Sequence, residues 1–239
     1  MSERIVLIIA NGDDVTTGYA TRVLQIIDSL KKTEHDCSII RFYPALRSVP
    51  IWSEFQVGLP ISNIPTLPFS RFKILRPISL ICSALFLRIK IFQTEATQLH
   101  AEAHAAAAIA LTQSKLPVVV DLHGAAPEEA RHRLGVEEYP TNNGWLDSVE
   151  FLCLKKARKI FCVSQEMVDH LSRKHSIDFS RRVSIVPVNI SGSYLNFKNL
   201  KRRQLRFEMG VSDDVKLIVY SGGSQSYQCV EETIQLFSN

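Results

Sequence analysis

Short, predominantly apolar runs, the first of them unbroken, alternate along this chain with stretches of helical periodicity, and that alternation admits few folds. Ile5 to Ala10, Cys37 to Phe42, Pro117 to Leu122, Ile160 to Val163 and Val183 to Val188 are all of strand length. A strand that is apolar at every residue, not every second one, is buried on both faces, as happens in a parallel sheet covered by helices. After the first run, Tyr19, Val23, Ile26, Ile27 and Leu30 fall on one helical face, with Thr16 or Thr17 placed to cap the helix. The expected fold is α/β, a parallel sheet assembled from βα repeats.

The remaining segments fill in that plan. Thr97 to His100 reads as a short strand, and the alanine-rich run Ala103 to Leu111 is a strong helix former. Trp145, Val149 and Leu152 recur at helical spacing, and Arg71 to Lys90 reads as a basic-flanked helix. Residues 44 to 70 hold Pro44, Pro50, Pro60, Pro65 and Pro68 without a clean period and read as a long loop. Residues 196 to 206 form a basic, helical connector. The apolar run Leu217 to Tyr220, the turn Ser221-Gly222-Gly223-Ser224 and a helix from Gln228 to Phe237 make one further βα unit. A lone unit of that kind cannot bury both faces of its strand. The expected organisation is therefore one domain over 1–190, a basic linker over 191–211 and the truncated opening of a second domain over 212–239.

Composition narrows the function classes. An apolar share of 46% with 22% charged residues is the balance of a folded protein. The net charge of +4 is mild and spread out, so no nucleic-acid partner is expected, although the charge suits an anionic surface or substrate. The five cysteines include no Cys-x-x-Cys pair and sit mostly in apolar runs, which favours reduced thiols over a disulfide framework. Met1 to Arg4 leads straight into the first strand without a secretory pattern. The longest apolar stretch, Pro77 to Leu87, is shorter than the roughly 20 residues that cross a bilayer. The expected location is cytoplasmic.

Four constellations bear on chemistry. The loop after the first strand carries Gly12 and Gly18. Amides at a helix N-terminus hold phosphates or sugar hydroxyls, but neither Gly-x-Gly-x-x-Gly nor a P-loop is present. Taken alone, Gly18 reads first as a glycine easing a βα turn. Asp121-Leu122-His123-Gly124, followed by Pro127-Glu128-Glu129, ends a buried strand at the edge where open α/β sheets bind ligands. His123 there suits hydrogen bonding to a sugar or proton transfer near neutral pH, against a turn histidine bonded to a carbonyl. His100-Ala101-Glu102-Ala103-His104 departs from His-Glu-x-x-His, so no metal is expected, and Glu102 reads as a ligand contact instead. Arg71 to Lys90 fits two arrangements: a buried helix with solvated ends, which is the commoner, or peripheral docking on an anionic membrane. Ser164 reads as a helix N-cap, not a nucleophile, because no Gly-x-Ser-x-Gly elbow surrounds it.

Together these pieces resemble the family 4 glycosyltransferases, GT-B type enzymes of bacterial polysaccharide assembly. The resemblance runs from Asn11–Leu30 through Leu99-His100-Ala101-Glu102, Val119 to Gly124, Val163 to Met167 and Val183 to Pro187. It ends with Arg206 to Val211 and Tyr220-Ser221-Gly222-Gly223. It implies two Rossmann-like domains facing a cleft, an acceptor-binding one over 1–190 and a nucleotide-sugar-binding one opening at 212. It also implies retaining transfer, with no cofactor and no essential metal. By resemblance Gly18 lies near the donor diphosphate, and His123 is the catalytic cleft histidine at the transferred sugar. Gly222 and Gly223 form the first donor-domain loop; from their position at or just after strand ends, Glu102, Gly124 and Glu128 are expected as further substrate contacts.

The chain also departs from the family pattern. Pro187-Val188-Asn189-Ile190 replaces the usual Pro-Asn-Gly-Val, and after the Gly222-Gly223 loop neither the family's basic residues for the diphosphate nor its Glu-x7-Glu motif follows. Without cations for the leaving diphosphate, little transferase activity is expected of these 239 residues alone, and Leu217 to Tyr220 is expected to be an exposed, aggregation-prone strand. The leading expectation is a truncated glycosyltransferase acting on a lipid-linked or polysaccharide acceptor, at the inner face of the membrane or free of it. The alternative is a non-catalytic acceptor-binding module paired with a separately encoded donor domain. A GT-B-like epimerase is the third reading.

Overall fold

The computed structural model describes residues 3–10, 18–45, 51–67, 75–113, 115–134, 144–187, 199–219 and 229–238. Two compact units share the chain, one formed by Met1–Glu129 and Glu138–Val188, the other by Ala130–Glu137 and Asn189–Asn239.

The first unit is an α/β sheet of seven parallel strands. These are β1 (Arg4–Ala10), β2 (Asp36–Pro44), β3 (Ile61–Thr66), β4 (Gln98–Glu102), β5 (Val118–Leu122), β6 (Lys159–Cys162) and β7 (Val183–Ile185). Their order is β3-β2-β1-β4-β5-β6-β7, every neighbouring pair parallel. The helices are α1 (Gly18–Leu30), α2 (Glu54–Val57), α3 (Arg76–Thr94), α4 (Ala103–Gln113), α5 (Ala126–Leu134, of which this unit holds the residues up to Glu129), α6 (Gly144–Lys156) and α7 (Gln165–His175).

The apolar continuity of β1 has its cause in two cores. Leu7 and Ile9 pack with Ile39 and with Ala20, Val23 and Ile27 of α1. Val6 and Ile8 join the other core with Val120, Leu122 and the buried run Ala106–Leu111 of α4. Small alanines let α4 lie close to the sheet while also meeting α3 and α6. Cys37, Cys153 and Cys162 are buried free thiols. Burial pushes Cys162 up to about 12, so it behaves as a small hydrophobe.

Three sequence expectations need correction. Residues 44–70 are not one loop: they include α2 and the edge strand β3. Ser53 and Gln56 form a capping box on α2, Gln56 N donating to Ser53 Oγ and Ser53 N to Gln56 Oε1, and Gly58 closes the helix at φ 66°. β3 tolerates Pro65, paired with Tyr43, because an edge strand needs its amides on one side only. The second correction concerns α3, which runs unbroken for 19 residues through Arg88 and Lys90 to Thr94. By length and composition alone it is apolar enough to cross a membrane.

The third lies in the second unit. Residues 216–219 form no strand, and Leu217, Ile218 and Val219 are exposed. A parallel strand exists only through its ladder, and none pairs here among the described residues. Helices cover Asn199–Glu208 and Val230–Ser238, and buried Arg206 donates to the carbonyls of Ser212 and Val215.

Candidate active site

With β1 at the centre, the chain winds outward to β2 and β3 on one side and to β4 through β7 on the other. The switch point therefore falls between β1 and β4, and a ligand crevice forms outside the carboxyl ends of such strands. Glu102 is the last residue of β4, and His123 follows β5. Ala103 turns the chain from β4 into α4 at φ 60°, a left-handed conformation that costs an alanine energy.

The structure brings His123 and Glu102 together, Nε2 to Oε2 at 2.8 Å. Glu102 is wholly enclosed, while His123 keeps a 17% exposed side chain. On the other carboxylate oxygen, His100 Nε2 stands at 3.1 Å, off the line of a hydrogen bond. Burial pushes the Glu102 carboxyl up, but His100 and then His123 more than offset it and hold it at about 2. Glu102 is thus a carboxylate at neutral pH. A neutral His123 accordingly carries its proton on Nε2, which leaves Nδ1 as an acceptor. The Tyr19 ring lies 5.0 Å from that imidazole, tilted by 37°, and its hydroxyl donates to the Glu102 carbonyl at 3.3 Å.

A second pair stands behind the first. Arg22 grips both oxygens of Asp121, Nη2 to Oδ1 at 2.8 Å and Nε to Oδ2 at 3.0 Å, and also donates to Val186 O at 3.1 Å. Asp121 Oδ2 lies 3.7 Å from His123 Nε2. By holding Asp121, the guanidinium leaves Glu102 as the nearer partner of the histidine. In the sequence Asp121 stood only as the start of the strand-end motif and Tyr19 only as a position on an apolar helix face, and Arg22 was not singled out. The signal was present, however: Arg22 is a lone charge on the apolar face of α1, and Asp121 a lone charge in an apolar strand. Buried charges of that kind need partners.

One ligand atom each from His100, Glu102 and Asp121 lies within 4.8 Å of the others. Asp121 is already committed to Arg22, so a divalent cation there would have to displace a guanidinium. We read the group as an ion-pair network.

The other expected contacts fall out differently. Gly124 adjoins His123, and a Cβ there would meet only the far end of Glu129. Glu128 belongs to a separate cluster: Lys174 Nζ reaches Glu128, Asp147 and Glu150 at 2.8, 2.7 and 2.7 Å. Enclosed Glu150 also accepts from His175 at 2.7 Å and is held at about 2, with burial outweighed by His104, Lys174 and His175. Gly18 is the first residue of α1. The loop before it, with Gly12, Thr16 and Thr17, lies outside the described residues, as do Gly222, Gly223 and the turn after Pro187.

Residues 16–188 match the sequence profile described as Glycosyltransferase Family 4. No curated protein matches the chain. Among solved structures it is similar to a glycosyltransferase from Rickettsia africae ESF-5, at 15% identity and TM-score 0.62 over 99% of this chain and 57% of that one. It is also similar to sucrose-phosphate synthase from Thermosynechococcus elongatus, at 13% identity and TM-score 0.66 over 98% and 59%. WaaG, a glycosyltransferase involved in lipopolysaccharide biosynthesis, matches at 12% identity and TM-score 0.64 over 97% and 58%. These likenesses show a shared Rossmann-like fold. The chain spans less than two thirds of each of the three.

Proposed function

We propose a sugar-transfer role from one premise: this chain belongs to Glycosyltransferase Family 4. The reading is retaining transfer of a sugar from a nucleotide-sugar donor to a lipid-linked or polysaccharide acceptor of the cell envelope, with no cofactor. Residues 1–190 act as the acceptor-binding domain, 191–211 as the linker, and 212–239 as the first part of a nucleotide-sugar-binding domain. The protein works in the cytoplasm, at the inner face of the membrane when its acceptor is a lipid.

The observation that carries this reading is the Glu102–His123 pair at the mouth of the switch-point crevice. Ionised Glu102 fixes the imidazole so that Nδ1 is left to accept a hydrogen bond from a hydroxyl of the transferred sugar. A positioned acceptor of that kind strengthens as charge develops on the ring, which is where transition-state stabilisation accrues. In this reading Gly18 lies near the donor diphosphate, Gly222 and Gly223 belong to the first loop of the donor-binding domain, and Gly124 lets substrate approach the backbone. Glu128, engaged by Lys174 and His170, is the least supported of the contacts.

The test is nucleoside diphosphate release from a panel of nucleotide sugars, by this chain and by a form completed with a donor-binding domain, with and without envelope lipid and glycan fractions. Acceptor-dependent release that disappears in His123→Ala supports the reading. Release indifferent to acceptor and to His123 removes it. Release that arises only when a separate donor domain is added marks the chain as an acceptor-binding module.

A further inference from the structure

Helix α3 is built inside out. Its sheet-facing side is small and hydroxylated: Ser79, Ser83 and Ala84 are buried together with Leu87. Ser79 donates to Leu67 O at 2.6 Å, and Thr66 Oγ1 meets Ser79 Oγ at 3.1 Å and Ser83 Oγ at 2.8 Å. The opposite side carries the large apolar residues. Ile78, Ile81, Leu85, Phe86, Ile89 and Phe92 are each exposed by between 50% and 85%. At about 100° per residue these six share one stripe. A soluble helix turns such a stripe to its core, and an apolar patch this long marks a binding surface.

The charges say what kind. The helix contains no carboxylate and three cations, Arg76, Arg88 and Lys90. Arg88 borders the stripe about 75° to one side, while Lys90, about 125° to the other, is half-buried beside the packed serines and reaches the stripe only through its long stem. An exposed apolar stripe on a helix that carries cations and no carboxylate matches the boundary of acyl chains and anionic headgroups. Because the far side of α3 is hydrogen-bonded to the end of β3, the docked helix lies along a membrane and does not cross it. A second copy fits less well, since a two-fold pairing of this face sets Arg88 and Lys90 against like charges.

We propose that the exposed face of α3 is a docking surface for an anionic lipid membrane, with the helix lying in the interfacial plane. This stands apart from the sugar-transfer reading: a chain that failed every transfer assay would still bind vesicles. The experiment is co-sedimentation of the full chain with vesicles of phosphatidylglycerol and phosphatidylcholine, against phosphatidylcholine alone. Two variants accompany it, Leu85→Glu with Ile89→Glu, and Arg88→Glu with Lys90→Glu, their folding checked by far-UV circular dichroism. The wild type is expected to pellet with the anionic vesicles, and each variant to lose affinity on the order of tenfold or more. If the apolar variant does not fold, the charge variant decides. A wild type that stays in the supernatant overturns the proposal, as does unchanged binding in the variants. Failure to bind vesicles alongside a concentration-dependent dimer abolished by Leu85→Glu and Ile89→Glu assigns the face to a second copy instead.

Discussion

Arg22 and Asp121, 99 residues apart in the chain, close on each other through two hydrogen bonds of 2.8 and 3.0 Å in a setting almost shut from solvent. Planar guanidinium and carboxylate match edge to edge. Removing one member strands the other as a buried charge. Arg22→Met should therefore lower the unfolding free energy by about 3–5 kcal/mol, and adding Asp121→Leu should restore much of it. Urea unfolding of both variants checks this; a double variant no more stable than the single one contradicts it.

The His123 side chain is 17% exposed, and His100 remains beside the Glu102 carboxylate when His123 is removed. In a form completed by the rest of the donor-binding domain, His123→Ala is expected to keep the fold and to cut turnover by roughly a hundredfold or more. Glu102→Gln should also slow turnover, because an amide no longer specifies which ring nitrogen holds the proton. Wild-type rates in His123→Ala would end the assignment.

Glu102 and Glu150 are both held at about 2, against the ordinary 4.5. A carboxyl depressed on folding contributes stability that is fully present above about pH 4.5 and lost as pH falls towards 2. Each group is linked to roughly 3 kcal/mol. Unfolding free energy should thus be level near neutrality and drop steeply below pH 4.5. In Glu150→Gln the drop should be shallower; an identical acid slope would show that the Lys174–His175 cluster carries no linkage.

Ser164 caps α7, its Oγ accepting from Met167 N at 3.3 Å. Ser164→Ala should cost about 1 kcal/mol, read as a lowered melting temperature with the circular dichroism spectrum retained.

What the sequence discloses divides along physical lines. β1 and β5 were legible because burial on both faces demands an apolar run, unbroken in β1 and interrupted in β5 only by Asp121, and the Ser164 cap because a cap is local. β3 was hidden by Pro60 and Pro65, which mark loops in most settings and are tolerated at a sheet edge. The Ser53–Gln56 box was readable but lay inside that proline-rich stretch. His123 and Glu102 each stood out by position at a strand end. Their pairing could not be read, since it depends on β4 and β5 lying side by side in register. Arg22 with Asp121 is the same case at longer range. The exposure of Ile81 or Phe92 was likewise illegible, because periodicity shows that a face is apolar and not which way it turns.

The centre of the sheet is the part of the chain made first. The amide of Arg4, at the head of β1, bonds Thr97, 93 residues further on. At ~5–20 residues per second, a ribosome takes ~5–20 seconds to span that gap. Throughout it, one edge of the most apolar strand awaits its partner while the chain is still emerging. A nascent-chain chaperone meeting this protein should therefore bind most strongly before Gln98 to Glu102 clears the exit tunnel, and release it soon after.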